Sequence, residues 1–149
     1  MSGEPHPWGE GTLMSEDSTR HEQFVDEYET LWDGEFEKRD IVSESVVVHD
    51  PGSPEPIEGR EELLEHIRGS RSSFPDLAIR TSDLLADGET IMWAWTMRGT
   101  NEGELQGLPP TGNEVDITGM SKLVVGDDGL EEEYMYYDVQ ELFAQLGLD

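Results

Sequence analysis

The side chains able to move a proton in this chain are its carboxylates, histidines and tyrosines, because it contains no cysteine. Disulfides, thiolate metal sites and a thiol nucleophile are thereby excluded. Asp138 closes an aromatic run, Tyr134-Met135-Tyr136-Tyr137, whose side chains could wall a dry pocket, with Tyr136 as a substrate contact. A carboxyl in such a pocket has a raised pKa and can remove a proton beside a carbonyl. Asp138 has a second reading: with Glu141 it has the spacing of a capping box for a closing helix.

His49 and Asp50 are adjacent and could form an acid/base pair or, with His66 and His21, part of a metal site. The spacing lacks His-x-x-x-His or any paired ligand pattern, so no metal is expected. His49 is placed at a pocket rim or at the cap of the loop from Pro51. A nucleophile elbow, a phosphate-cradling glycine loop and a dinucleotide fingerprint are all missing from the sequence, and no cofactor is expected. The triplet Glu131-Glu132-Glu133 reads as a solvated strand end.

The elements that must position these groups follow from periodicity. Residues 1–17 are rich in Gly, Pro, Ser and Glu without a period and read as a flexible acidic extension, with Met14 as a plausible start. One folded domain is expected over 18–149. A helix begins near Thr19, where Thr19 and Glu22 have capping-box spacing. Phe24, Tyr28, Leu31 and Trp32 make its apolar stripe, and Asp33-Gly34 stops it. A short helical stretch spans about 35–41. Val46-Val47-Val48 is a strand that delivers His49 and Asp50 to a loop. A second helix runs from Arg60 to Ser72, broken at Phe74-Pro75-Asp76. Hairpins follow: 77–86 with 90–99 across Asp87-Gly88, and 114–125 with 130–137 across Gly126–Gly129. A long glycine- and proline-bearing loop separates them, and a helix over 139–146 closes the chain. Trp93 and Trp95 share one strand face, where core packing, a dimer interface or a cavity wall are all open to them. The order predicts an α+β fold: a curved, mostly antiparallel sheet wrapped as a half-open cone around helices, a cystatin-like α+β barrel with a ligand cavity inside.

Nine basic residues against 35 acidic ones give a net charge of −26, and only Lys38 and Lys122 are lysines. Such self-repulsion is relieved by screening salt, which predicts a protein adapted to a salty, reducing cytoplasm. Without a basic patch, neither nucleic acid nor an anionic membrane surface is an expected partner. No apolar run approaches the roughly 18 residues needed to span a bilayer.

Several segments in order resemble the SnoaL-like polyketide cyclases: His49-Asp50-Pro51-Gly52, Phe74-Pro75-Asp76-Leu77, Arg98-Gly99-Thr100 with Gly103-Glu104, Gly107-Leu108-Pro109-Pro110-Thr111-Gly112, and Asp138 ahead of Gln145-Leu146-Gly147. The resemblance spans about 23–148. It implies the nuclear-transport-factor-2-like fold and a cofactor-independent intramolecular aldol cyclisation, as in the aklanonic and nogalonic acid methyl ester cyclases. On that resemblance Asp138 takes the place of the general acid/base, Tyr28 that of a tyrosine facing the cavity, and His66 that of an asparagine able to donate to an enolate oxygen. A glutamine and a histidine of the cyclases correspond to Gly119 and Ser121, so Ser121 is the polar contact left on that strand. The implied ligand is a small apolar or aromatic carbonyl compound, met by Tyr28, His49, Trp93, Ser121 and Tyr136. The implied assembly is a homodimer, and a non-catalytic binding domain of the same fold is the alternative.

Overall fold

The computed structural model describes residues 16–148. The expected N-terminal extension therefore lies outside the described residues, except for Glu16 and Asp17, which open the first helix. That helix, α1, is Glu16–Trp32, so Thr19 sits inside it rather than at its start. A 3-10 helix, Phe36–Ile41, leads into β1, Val42–His49. A two-residue strand, β2 (Ile57–Glu58), and helix α2, Arg60–Ser73, follow. Then come β3 (Ala78–Asp87), β4 (Thr90–Thr100), β5 (Glu114–Gly126), β6 (Gly129–Tyr137) and α3 (Val139–Leu146).

The six strands form one sheet in the order β2-β1-β6-β5-β4-β3. All neighbours are antiparallel except β1 and β6, which run parallel with Val48 opposite Glu133 and His49 opposite Tyr134. The sheet curves around the helices as the expected cone: α1 packs on β3, α2 on β1 and α3 on β5. Tyr28, Leu31 and Trp32 from α1 and Leu63, Leu64 and Ile67 from α2 meet Val46, Val48, Ile91, Trp93, Trp95 and Leu123 from the sheet. Tyr28 and Trp93 alone bury surface of the size that dominates a small core.

Two side-chain bonds tie α1 to the far edge of the sheet. The Thr81 backbone N–H, at 2.6 Å, and its hydroxyl both donate to Glu29 Oε2. The indole of Trp93 donates in turn to Thr81 Oγ1 at 2.8 Å. Register slips between Thr81 and Asp83 and again between Val124 and Val125, so both edges of the hairpin pair carry a bulge. The second bulge changes the phase of β6. Leu130 is buried, Glu131 is the extra residue, and the inward face resumes at Glu133, Met135 and Tyr137.

Alternation decides where the tryptophans go. Ile91, Trp93 and Trp95 point into the cone and are buried, so the Trp-rich face is core and cavity wall, not an intersubunit surface. The opposite face of the same sheet carries Leu85, Met120 and Tyr136, which are 50, 41 and 59 % exposed. Among the described residues, no helix is long and apolar enough to cross a membrane.

Candidate functional site

Between sheet and helices lies a cavity of about 480 Å³. Its walls are mainly apolar: Trp32, Phe74, Trp93, Trp95, Leu142 and Phe143 are among them. Trp93 and Trp95 stand 6.3 Å apart between ring centres, and Tyr137 meets Trp95 edge-on at 6.0 Å. Into this setting four groups able to exchange or hold a proton project together, Asp50, His66, Glu133 and Tyr137, while the carboxylate of Glu104, also in the wall, belongs to an exposed residue.

Asp50 is the first residue past β1, and β6 lies beside it because those two strands run parallel. Its Oδ1 accepts from Tyr137 Oη at 2.7 Å and from the Gly52 N–H at 2.8 Å. His66 Nε2 lies 3.3 Å from its Oδ2. A Cβ on residue 52 would fall 2.7 Å from the Tyr137 oxygen, so a larger residue there would push that hydroxyl from its place on Asp50. Burial pushes the Asp50 carboxyl up, but the bonds from His66, Tyr137 and Gly52 outweigh it and hold the group below the usual aspartate value. Burial and the Asp50 charge push the Tyr137 phenol far up, so it remains a donor.

Glu133 behaves in the opposite way. It is 1 % exposed. Burial pushes its carboxyl up to about 7, against the hydrogen bonds from Tyr28 and Ser121; the Asp50 charge adds to the rise and His66 opposes it. The Tyr28 hydroxyl donates to Oε1 at 2.6 Å. Two carboxylates in one cavity thus have proton affinities driven apart: Asp50 is a fixed charge, and Glu133 can gain or lose a proton near neutrality.

The sequence placed these residues differently. Glu133, read as part of a solvated triplet, is inside. Glu132 alone of its neighbours keeps an outward pairing, with His49 Nε2 at 3.0 Å and the Tyr134 hydroxyl at 2.9 Å. His49 stacks on Tyr134 at 4.3 Å on the outer face and does not line the cavity, because adjacent strand residues point to opposite sides. Asp138 is exposed and outside the cavity wall. Its Oδ1 accepts from the Glu141 N–H at 3.0 Å as the N-cap of α3, so of its two readings the cap is the one the geometry realises. Tyr136 is half-exposed on the outer face, opposite Met120. His66 and Trp93 line the cavity. Tyr28 and Ser121 are fully buried just behind it rather than open to a ligand: Tyr28 is bonded to Glu133, and Ser121 to Trp95.

Gly119 and Ser121 have a shared structural reason. The Trp95 ring lies across Gly119, where a Cβ would fall 2.4 Å from the indole, and Trp95 Nε1 donates to Ser121 Oγ at 3.0 Å. An indole therefore fills this part of the cavity wall.

The comparisons with known proteins agree with this architecture. TsrD from Streptomyces laurentii superposes with a TM-score of 0.77 at 20 % identity, over 91 % of this chain and 99 % of its own. AclR from Streptomyces galilaeus gives 0.73 at 19 % identity, over 87 and 96 %. IdmH from Streptomyces antibioticus gives 0.72 at 25 % identity, over 85 and 97 %. No curated protein matches the sequence. The family model for the SnoaL-like polyketide cyclases matches residues 22–146, which hold all six strands of the curved mixed sheet. The chain belongs to the SnoaL-like polyketide cyclase family.

Proposed function

We propose that this protein is a cofactor-independent acid/base catalyst for a small, largely apolar carbonyl compound, with Glu133 as the group that takes and returns the proton. The observation that carries this reading is a fully buried carboxyl facing an apolar cavity with a proton affinity near neutrality. A base poised near the working pH combines adequate ionisation with adequate basicity. Among the structural neighbours, IdmH is described as a candidate polyketide cyclase and AclR as a candidate hydroxylase.

The chemistry balances without an external oxidant or reductant. The ionised Glu133 carboxylate accepts a proton from the carbon beside a carbonyl, and the C–H electron pair moves into an enolate. His66, held on α2 and braced by Asp50, faces the cavity where it can donate to the enolate oxygen. The enolate carbon then attacks a second carbonyl of the same molecule, forming the ring bond and restoring the first carbonyl, and the new alkoxide takes back the proton held by Glu133, which returns to its carboxylate. Protonation of the enolate carbon instead gives an isomerisation. The wall of Trp93, Trp95, Leu142 and Phe143 keeps water from the enolate.

The test is a thermal-shift and fluorescence screen of small carbonyl and aromatic compounds in molar salt, with every hit assayed for turnover. Glu133→Gln is expected to keep binding and lose about 10²–10⁴-fold in turnover, the usual worth of a positioned base. Asp138→Ala is expected to keep turnover and cost about 1 kcal/mol of stability through the lost cap. Hits that bind equally to both forms and are never converted would make the protein a binding domain of this fold.

The same reading includes a homodimer formed through the outer sheet face, in a salt-adapted cytoplasmic protein. Its support is the adjacency of Met120 to Tyr136 and Ala94 on neighbouring strands, with Leu85 beyond them, in an otherwise acidic surface. Size-exclusion chromatography with light scattering in molar salt should give a dimer that Met120→Glu converts to monomer. A monomeric wild type removes this part of the proposal.

A further inference from the structure

We infer that Tyr28 and Ser121 are positioning residues that hold the Glu133 carboxylate ready to accept a proton from the cavity, with Trp95 fixing the direction of the Ser121 hydroxyl. The inference rests on Glu133 being the proton-transfer group.

The geometry is a chain of donors converging on one acid. The Tyr28 hydroxyl reaches Glu133 Oε1 from α1 at 2.6 Å in a fully buried contact. From β5, the buried Ser121 hydroxyl acts on the same carboxyl and favours its ionised form. Ser121 is itself fixed, because its oxygen accepts from Trp95 Nε1 at 3.0 Å inside the core. An indole N–H can only donate, so the Ser121 proton is left to point at the carboxylate. Trp95 reaches this position only because residue 119 has no side chain.

Both donors at Glu133 are neutral hydroxyls. Burial and the Asp50 charge favour the neutral acid, and His66 opposes them from α2. Among the described residues, neither Lys nor Arg lines the cavity to share that work. Tyr137 acts on the cluster through Asp50. Without the two hydroxyls, the carboxyl would keep its proton at neutral pH and could not start the reaction. Tyr28 can serve as a donor throughout, because burial and then the Glu133 charge push its phenol well above the ordinary value. Tyr28 and Ser121 lie behind the cavity wall and touch no ligand in this scheme, so their effect passes through Glu133.

The experiment reads Glu133 directly. Carboxyl-labelled glutamate is followed by carbon NMR across pH in the full chain in molar salt, with Glu133→Gln used to assign the buried resonance. The wild-type midpoint is expected near neutrality. Tyr28→Phe and Ser121→Ala are each expected to raise it by about one pH unit, a tenfold change in proton affinity, since each removes one bond to a charged group. Where a converted compound is in hand, the rising limb of its pH–rate profile should move by the same amount. A midpoint unchanged in both variants overturns the inference while leaving Glu133 as the base. A resonance that does not titrate between about pH 5 and 9 overturns the inference and the proposed catalysis together. Should Tyr28→Phe fail to fold, Ser121→Ala alone decides, because it deletes a single atom from β5.

Discussion

Replacing Glu133 by glutamine should make the protein more stable at pH 8 while removing its ability to move a proton. In the unfolded chain the glutamate ionises near its ordinary value of 4.5, whereas the folded protein holds the proton up to about 7. Between those values the native state binds more protons than the unfolded one, so stability falls as pH rises through this window. Above it the full penalty is present. A gap of this size corresponds to about 3 kcal/mol at 1.36 kcal/mol per unit. Glutamine keeps an oxygen for Tyr28 and carries no charge, so it escapes the penalty. Denaturant unfolding of both forms at intervals from pH 4 to 8, in molar salt, isolates the effect as a difference, because the other acidic groups are common to both. The stability gain should be near zero at pH 4 and approach about 3 kcal/mol at pH 8. A difference that does not change with pH would mean that folding leaves the proton affinity of Glu133 at its ordinary value. Stability and chemistry are opposed here because the protein holds a carboxylate where solvent cannot reach it.

Gly103→Ala should cause the largest loss outside the acid cluster. Gly103 is the third residue of the loop of residues 101–113, which lies against the end of α2. A Cβ there would fall 2.0 Å from the Ser72 carbonyl oxygen and 2.9 Å from its carbon, and backbone cannot swing aside as a side-chain tip can. The loop must lift. Lifting it breaks a compact set of bonds: Gly103 N–H to the Ser73 carbonyl at 3.1 Å, and the Ser73 hydroxyl to the Glu104 carbonyl at 2.6 Å. Asn101, 1 % exposed, ties the rest by donating to the carbonyls of Ser73 and Gly103 and accepting from Thr111. Overpacking with stranded buried donors should cost about 3 kcal/mol. Because Ser72, Ser73, Glu104, Leu105 and Gln106 line the cavity, ligand affinity should fall at least about tenfold with stability. Gly112→Ala is the comparison. Its φ of 77° strains an alanine, but nothing lies within 4 Å of the new carbon, so about 1 kcal/mol is expected. Equal losses for the two variants would show that the loop is not seated on α2.

Local chemistry was readable wherever it acted on its own segment. The β-branched run at Val46–Val48, the Pro75 break, the turn glycines and the cap at Asp138 each declared an element, and α3 falls on Val139–Leu146 as expected. The period of two on β4 likewise brought Ile91, Trp93 and Trp95 to one face. What residue types could not declare was phase and long-range pairing. The bulge at Glu131 shifts β6 by one position, which turns Glu133 inward in a run of three identical residues. In a chain with 35 acidic residues, a buried carboxylate looks like its solvated neighbours. The one available signal was parity: Glu133, Met135 and Tyr137 alternate with Glu132, Tyr134 and Tyr136. Asp50 was hidden by its neighbour, since His49 attracted attention as a ligand while period two sends only one of the pair inward. The parallel pairing of β1 with β6 has no local signature at all, and it is what brings Asp50 to Tyr137.

That pairing also orders events in time. β1 is complete by residue 49, but the long strand it lies against is not made until residues 129–137. During translation, a nascent chain holding Tyr28, Asp50 and His66 has nothing to assemble them around. The pocket can be born only after β6 has been made, and fragments ending before it should be inert toward any ligand.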